Sequence, residues 1–425
     1  MNYQETLAYI SSINWKGSVL GLSRIRELLE KLGNPQKELK FVHIGGTNGK
    51  GSSAAFISSV LTEAGYKTGL FTSPYVEEFN ERMQIDRKNI SNEELAEITT
   101  EIRPAADSME DKPTEFELNT AIAMAYFQKN RCDVVVLEVG MGGELDSTNV
   151  IDSPEVAVIT AIGLDHTEEL GDTVEKIAKT KSGIIKPGCS AVLYKQAESV
   201  TEIIEERCRE CGVSLAVTEP EHVSVENQDI FGITFRYPGY EEPLHIPLIG
   251  SYQLENVAVA LKAIEVLKQR GWNIPEEAVR TGLHSTRWPG RFEIVRKDPL
   301  FVVDGAHNPH GIRATASSIR TFFKDQKLVF LFGVMADKDY DDMLDQILPM
   351  AKEVNCVTPD NPRALKAEEL AEVIRKKGCE AEDFETIGEA VDSAIRKAEE
   401  AATSVIALGS LYMIGDIKRY LKTKE

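Results

Sequence analysis

Cysteine is scarce: the 425-residue chain has six, at positions 132, 189, 208, 211, 356 and 379. They show no framework spacing, which excludes a disulfide-stapled scaffold and predicts free thiols in a reducing compartment. Cys208 and Cys211 share a CxxC spacing at the end of a predicted helix, but no second CxxC or Cys/His pair is present to complete a zinc site. Positive charge is also short: 48 Lys and Arg against 68 Asp and Glu leave a net charge of −20, a field that repels phosphate backbones and acidic membranes. No nucleic-acid partner is therefore expected. Long apolar runs are missing as well; the longest, around 120–127 and 405–414, fall short of the roughly 20 residues a membrane-spanning helix needs. The opening MNYQETLAYI has no basic stretch ahead of an apolar one, so no secretory leader and a cytoplasmic location are predicted.

What is present is a globular complement, 42% hydrophobic and 27% charged, far from the composition of disordered chains. At roughly 100–200 residues per domain, two or three domains are expected. Strand-length apolar runs alternate with helical-period segments from about residue 40, which predicts α/β layers around a mostly parallel sheet. Strands are expected at 40–44, 67–71, 133–139, 156–160 and 191–194, with helices at 52–64, 93–102, 115–128 and 173–185. Between 214 and 249 short, turn-punctuated runs predict a small antiparallel appendage. Helical period returns at 252–268. The Pro-Gly turn in Arg287-Trp-Pro-Gly-Arg291 then precedes a second βα series, with strands at 300–303, 328–333, 353–357 and 405–409, so a boundary falls near 290–298. The charged stretch from Lys418 onward reads as the solvated end of a helix.

One strand-to-helix turn carries chemistry. After Phe41-Val-His-Ile44 comes Gly45-Gly46-Thr47-Asn48-Gly49-Lys50-Gly51-Ser52, and a helix follows at once. Glycines let backbone N–H groups approach an anion, the helix N-terminus supplies free donors, and Lys50 can reach β and γ phosphate oxygens. The pattern departs from a standard P-loop: the leading Gly falls on Ile44, and Gly51 separates Lys50 from Ser52.

This variant loop resembles that of the Mur ligase superfamily, in its folate branch of folylpolyglutamate and dihydrofolate synthases. Further stretches resemble the branch in order: Thr72-Ser73-Pro74 with Phe79-Asn80-Glu81-Arg82, Glu138-Val-Gly-Met-Gly-Gly143 with Asp146-Ser-Thr-Asn149, Asp165-His166, Lys181-Ser-Gly183, Gly250-Ser-Tyr-Gln-Leu-Glu-Asn256 and Asp304-Gly-Ala-His-Asn308. The resemblance implies a P-loop NTPase-like ATP-binding central domain over 1–293 and a smaller Rossmann-like glutamate-ligase domain over 294–425. It implies an ATP-dependent ligase, acting as a monomer, that adds L-glutamate to the γ-carboxylate of a folate through an acyl phosphate. Dihydrofolate synthesis from dihydropteroate uses the same machinery, and the sequence does not separate the two. A P-loop switch or ATPase is the rival from another class, and it leaves Lys181 and the second domain without a purpose.

Roles implied by the resemblance run along the chain. Gly46, Thr47, Asn48, Gly49, Lys50, Gly51 and Ser52 cradle phosphates, while Ser73, Glu138 and His166 hold one or two Mg²⁺, with room for a K⁺. Glu138 ends the apolar run Val134–Leu137, where a carboxylate is costly unless paired or metal-bound. Lys181 is expected as a carbamate that ligates a second Mg²⁺, which requires a neutral amine. Gln253, Asn256, Arg291, Asp304 and His307 meet the nucleotide, and Lys50, Glu138, His166, Lys181 and Arg291 form the catalytic set. Phe79, Arg82 and Thr114 face the folate, with Tyr75 as an alternative stacking ring; Lys338, Ser410 and Tyr412 face the incoming glutamate. Plainer readings stand beside these: His166 as a structural residue, Lys181 as a solvated lysine, Phe79 as a loop anchor, Thr114 as an N-cap, Arg291 paired with Glu293, Asp304 as a turn residue.

Overall fold

The computed structural model describes residues 1–13 and 19–424. Eight strands form the first sheet: β1 (Phe41–Gly45), β2 (Thr68–Phe71), β3 (Met83–Ile85), β4 (Lys88–Asn89), β5 (Val134–Glu138), β6 (Val156–Ile159), β7 (Ser190–Leu193) and β8 (Leu215–Val217). Their order is β4-β3-β2-β5-β1-β6-β7-β8, parallel from β2 through β8, with β3 and β4 forming an antiparallel edge. A three-stranded antiparallel sheet follows, from β9 (Ser224–Asp229), β10 (Gly232–Arg236) and β11 (Leu244–Ile246). The third sheet holds β12 (Glu293–Lys297), β13 (Leu300–Val303), β14 (Leu328–Phe332), β15 (Ala351–Cys356), β16 (Glu380–Asp383) and β17 (Val405–Leu408), ordered β12-β13-β17-β14-β15-β16 with only β12 antiparallel.

The pleat divides the first core in two. Val42, Val134 and Val136 pack with the helices Lys50–Glu63 and Gln253–Gln269, and with Ile233 and Phe235 of the appendage. Phe41, Val135 and Leu137 point the other way, onto the helices Glu115–Lys129 and Asn92–Ser108. A central strand covered on both faces must be apolar throughout, as β5 is. Its four apolar side chains are wholly buried and contribute roughly 6–12 kcal/mol, an upper estimate that exceeds the several kcal/mol cost of burying one carboxylate at the strand end.

The α/β class and the small antiparallel appendage match expectation. Segment 215–217 instead extends the main parallel sheet as β8. The hairpin β3–β4 and the charged edge strand β16, Glu-Ala-Glu-Asp, lack the apolar run that marks a strand; the charges suit an edge that must not pair with another chain. The expected solvated tail is corrected: Lys418, in the final helix Leu411–Lys422, is buried between Glu77 and Glu293. Among the described residues no helix is long and apolar enough to cross a membrane.

Candidate active site

The phosphate loop leaves β1 at the centre of the sheet, where strand ends open a crevice. Gly46 and Gly49 have φ of +150° and +85°, and a Cβ on Gly46 would lie 1.8 Å from Thr160 Oγ1. Gly49 caps the helix that begins at Lys50, so the free N–H groups of its first turn face the crevice. Thr47 and Asn48 donate backbone N–H to Ala161 O (2.8 and 3.2 Å), which fixes the loop against β6. Lys50 Nζ rests on Thr47 O at 3.1 Å, within the loop.

Glu138 pairs across from Ile44, and its carboxylate accepts the Ser73 N–H at 3.1 Å. Burial raises its pKa against the pull of Lys50, the Ser73 N–H, Arg291 and Arg82. Lys181 is buried, not solvated: its ammonium donates to Gly46 O at 2.9 Å, and among the described residues no carboxylate stands within ion-pair distance of it. Burial first, then Lys50, lowers its pKa to about 7. His166 is held at φ +50° in a short turn and lines the same cavity. No group of three His, Cys, Asp or Glu set for a metal occurs among the described residues.

The third sheet closes the crevice. Arg291, Asp304 and His307 line one cavity with residues 46–52, Ser73, Glu138, His166, Lys181 and Asn256. Glu293 is engaged by Lys418 and by Gly290 N–H, so Arg291 is free of the pairing that the plainer reading gave it. Asp304 lines the cavity while its carboxylate accepts Tyr252 Oη (2.6 Å), Phe292 N (2.8 Å), Ala306 N (2.8 Å) and Thr315 Oγ1 (2.9 Å). Those four donors fill a carboxylate's usual capacity and make Asp304 a brace for the interdomain segment. Gln253 lies outside the cavity lining and is wholly buried, joining Ser52 Oγ (3.3 Å) to Asn256.

Residues 44–264 match the Mur ligase middle domain, and residues 290–411 match the Mur ligase glutamate ligase domain. The dihydrofolate synthase/folylpolyglutamate synthase of Bacillus subtilis is 36% identical over 99% of each chain. The folylpolyglutamate synthase of Lacticaseibacillus casei is 38% identical over 86% of this chain and 87% of its own. The chain belongs to the dihydrofolate synthase/folylpolyglutamate synthase family of Mur ligases. It is an ATP-dependent ligase. The Mycobacterium tuberculosis folylpolyglutamate synthase complexed with ADP and AMPPCP superposes on this ligase with a TM-score of 0.90, at 31% identity over 100% of this chain and 99% of that one.

The remaining residues of the ligase are less simply placed. Phe79 is buried, with the Arg82 guanidinium 5.5 Å above its ring, and lines a second cavity together with the more exposed Tyr75. Thr114 caps the helix Glu115–Lys129, its hydroxyl accepting Glu117 N–H at 3.2 Å. Lys338, expected to face the glutamate, pairs with Asp165 at 2.7 Å across the two lobes. Burial alone would raise the Asp165 pKa, but Lys338, His166 and His307 outweigh it and hold the carboxyl well below its usual range. Ser410 caps the final helix, and Tyr412 is exposed.

Sequence reasoning missed Trp288, whose ring lies 2.6 Å from where a Cβ on Gly51 would stand, and Tyr252, the partner of Asp304. The only signal for Trp288 was its place beside the Pro-Gly turn. It also missed the buried pair of Arg24 with Glu117 at 2.9 Å, under the Thr114 cap.

Proposed function

We propose that the protein adds L-glutamate to the γ-carboxylate of a reduced folate, and makes dihydrofolate from dihydropteroate in the same site. The observation that carries this reading is that the phosphate loop, Glu138, Lys181 and, from the other side, Arg291 face one interdomain cavity. The curated relatives named for both activities support the pairing. In this reading residues 1–293 bind ATP and the acceptor acid, and residues 294–425 deliver glutamate.

Lys50 leaves Thr47 O to meet the β and γ phosphates, and Arg291 meets the γ-phosphate from across the cavity. The acceptor carboxylate attacks the γ-phosphorus, the bond to ADP breaks, and an acyl phosphate forms. The free amine of glutamate then attacks the acyl carbon, the amide forms, and phosphate leaves. Arg291 enters with the second lobe, so closure brings the two halves of the reaction together and keeps water out.

The residues fit Mg²⁺: Glu138 is a buried carboxylate that its one N–H partner does not neutralise, a position that a hard cation stabilises. Ser73, Glu138 and His166 would hold it, and a carbamylated Lys181 would hold a second. When bound, such an ion neutralises charge on the transferring phosphoryl group.

A second cavity, about 410 Å³, is lined by Tyr3, Leu7, Tyr75, Phe79 and Glu115 among others. Aromatic rings with a carboxylate suit a flat heterocycle that carries N–H donors, which supports placing the acceptor's ring on this side. The test is phosphate release from ATP and Mg²⁺ with dihydropteroate, dihydrofolate or tetrahydrofolate, each with and without glutamate. Release that requires both acceptor and glutamate is expected. Hydrolysis indifferent to every pterin would overturn the assignment.

A further inference from the structure

The loop between β2 and β3 is built around its own carboxylate. Glu81 accepts the N–H groups of Val76, Glu77 and Glu78 at 2.7, 3.0 and 3.0 Å, so it holds the loop's shape from inside. Glu77 is left to point outward, and it meets the final helix of the other lobe. Lys418 Nζ stands 2.8 Å from Glu77 Oε1, Lys422 Nζ 2.6 Å from Glu77 Oε2, and Arg419 Nη1 donates to Glu77 O at 2.8 Å. The same Lys418 ammonium donates to Glu293 Oε1 and Oε2 at 2.9 and 3.0 Å, and Glu293 accepts the Gly290 N–H at 2.7 Å. Three N–H donors thus meet three carboxylate oxygens, and the Lys418 side chain is 9% exposed. The approach is close: a Cβ on Gly415 would fall 2.1 Å from Val76 O, and Val76 packs on the second lobe's core.

Two facts set where this cluster acts. Glu77 is four residues from Ser73, whose N–H holds Glu138, and two from Tyr75. Glu293 is two residues from Arg291. Glu77 lines the second cavity, whereas Lys418 and Glu293 line neither.

We infer that Lys418 is a positioning residue: bonded to Glu77 and Glu293 together, it clasps the acceptor-side loop to the segment that carries Arg291 when the lobes close. The inference rests on the ligase reading above and adds a specific interdomain contact to it. The clasp touches no phosphate, so it sets how well the acceptor is held and not how well ATP binds on its loop.

The test compares Lys418→Met, Lys418→Arg and Glu293→Gln with the unaltered protein, measuring acceptor KM, kcat, and ATP Kd without acceptor. For Lys418→Met the acceptor KM should rise tenfold or more while ATP Kd moves less than threefold. Lys418→Arg should return the acceptor KM to within threefold of the unaltered value. An unchanged acceptor KM in Lys418→Met, an equal loss of ATP affinity, or no recovery with arginine would each overturn the clasp. Should Lys418→Met not fold, Glu293→Gln decides, since Glu293 lines neither cavity and the Lys418–Glu77 pair stays: a rise of threefold or more in acceptor KM supports the clasp, and an unchanged value overturns it. Phosphate release without acceptor in the unaltered protein would sink the ligase reading, and the clasp's role with it.

Discussion

Lys181 offers the sharpest test of the site's electrostatics. A lysine normally titrates at 10.5, and burial with Lys50 nearby lowers this one to about 7. Between those values the unfolded chain holds a proton that the folded chain has released, so stability rises with pH across the window and the full cost falls below pH 7. The whole drop corresponds to about 5 kcal/mol at 1.36 kcal/mol per pH unit. Lys181→Met removes the titration while keeping the side chain's length. Its stability advantage over the unaltered protein should therefore shrink by about 2 kcal/mol between pH 7 and pH 9, read by urea unfolding of both in bicarbonate-free buffer. At pH 8 about nine-tenths of the amine is neutral, against well under one per cent for an ordinary lysine. Adding ¹³C-bicarbonate at that pH should give a carbamate carbon signal that Lys181→Met lacks, together with higher phosphate release. Parallel stabilities at both pH values would refute the lowered pKa. Full activity without CO₂ and no carbamate signal would refute the modification.

Lys50→Ala and Glu138→Gln should each lower kcat by roughly 10²–10³-fold with the far-ultraviolet spectrum unchanged, and near-normal turnover would remove the residue from the mechanism. Gly51→Ala should cost about 1–3 kcal/mol and weaken ATP binding, because its Cβ meets the Trp288 ring at 2.6 Å; adding Trp288→Ala should recover part of the ATP affinity in calorimetry. Arg24→Ala should destabilise the first lobe by about 3–5 kcal/mol, since it leaves Glu117 buried without its partner, while Arg24→Met with Glu117→Leu should come close to the unaltered midpoint.

The parallel sheet was legible because its central strands are continuous apolar runs; β5 and β14 are buried on both faces and could be little else. The phosphate loop was legible because glycine spacing between a strand and a helix has a direct electrostatic meaning. Edge strands were not, since β4 and β16 are held by backbone pairing and carry charged, exposed side chains. Long-range partnership was also hidden. Lys418 reads as solvated tail until folding brings Glu77 and Glu293 to it, over sequence separations of 341 and 125 residues. Asp304 carries a family motif, yet only the folded chain shows that four donors occupy it.

The order of the first sheet has a consequence for the chain as a heritable unit. β1 sits between β5 and β6, strands that arrive about 90 and 110 residues after it, and the cavity they frame is closed by residues near 290 and 305. No contiguous fragment short of some 260 residues contains the phosphate loop, Glu138, Lys181, Arg291 and His307 together. Truncated translation products and proteolytic pieces are expected to be inert, with no partial activity, and the gene is open to cutting and rejoining only at turns far from these strands, such as Ile230–Phe231 at the solvent-facing tip of the appendage.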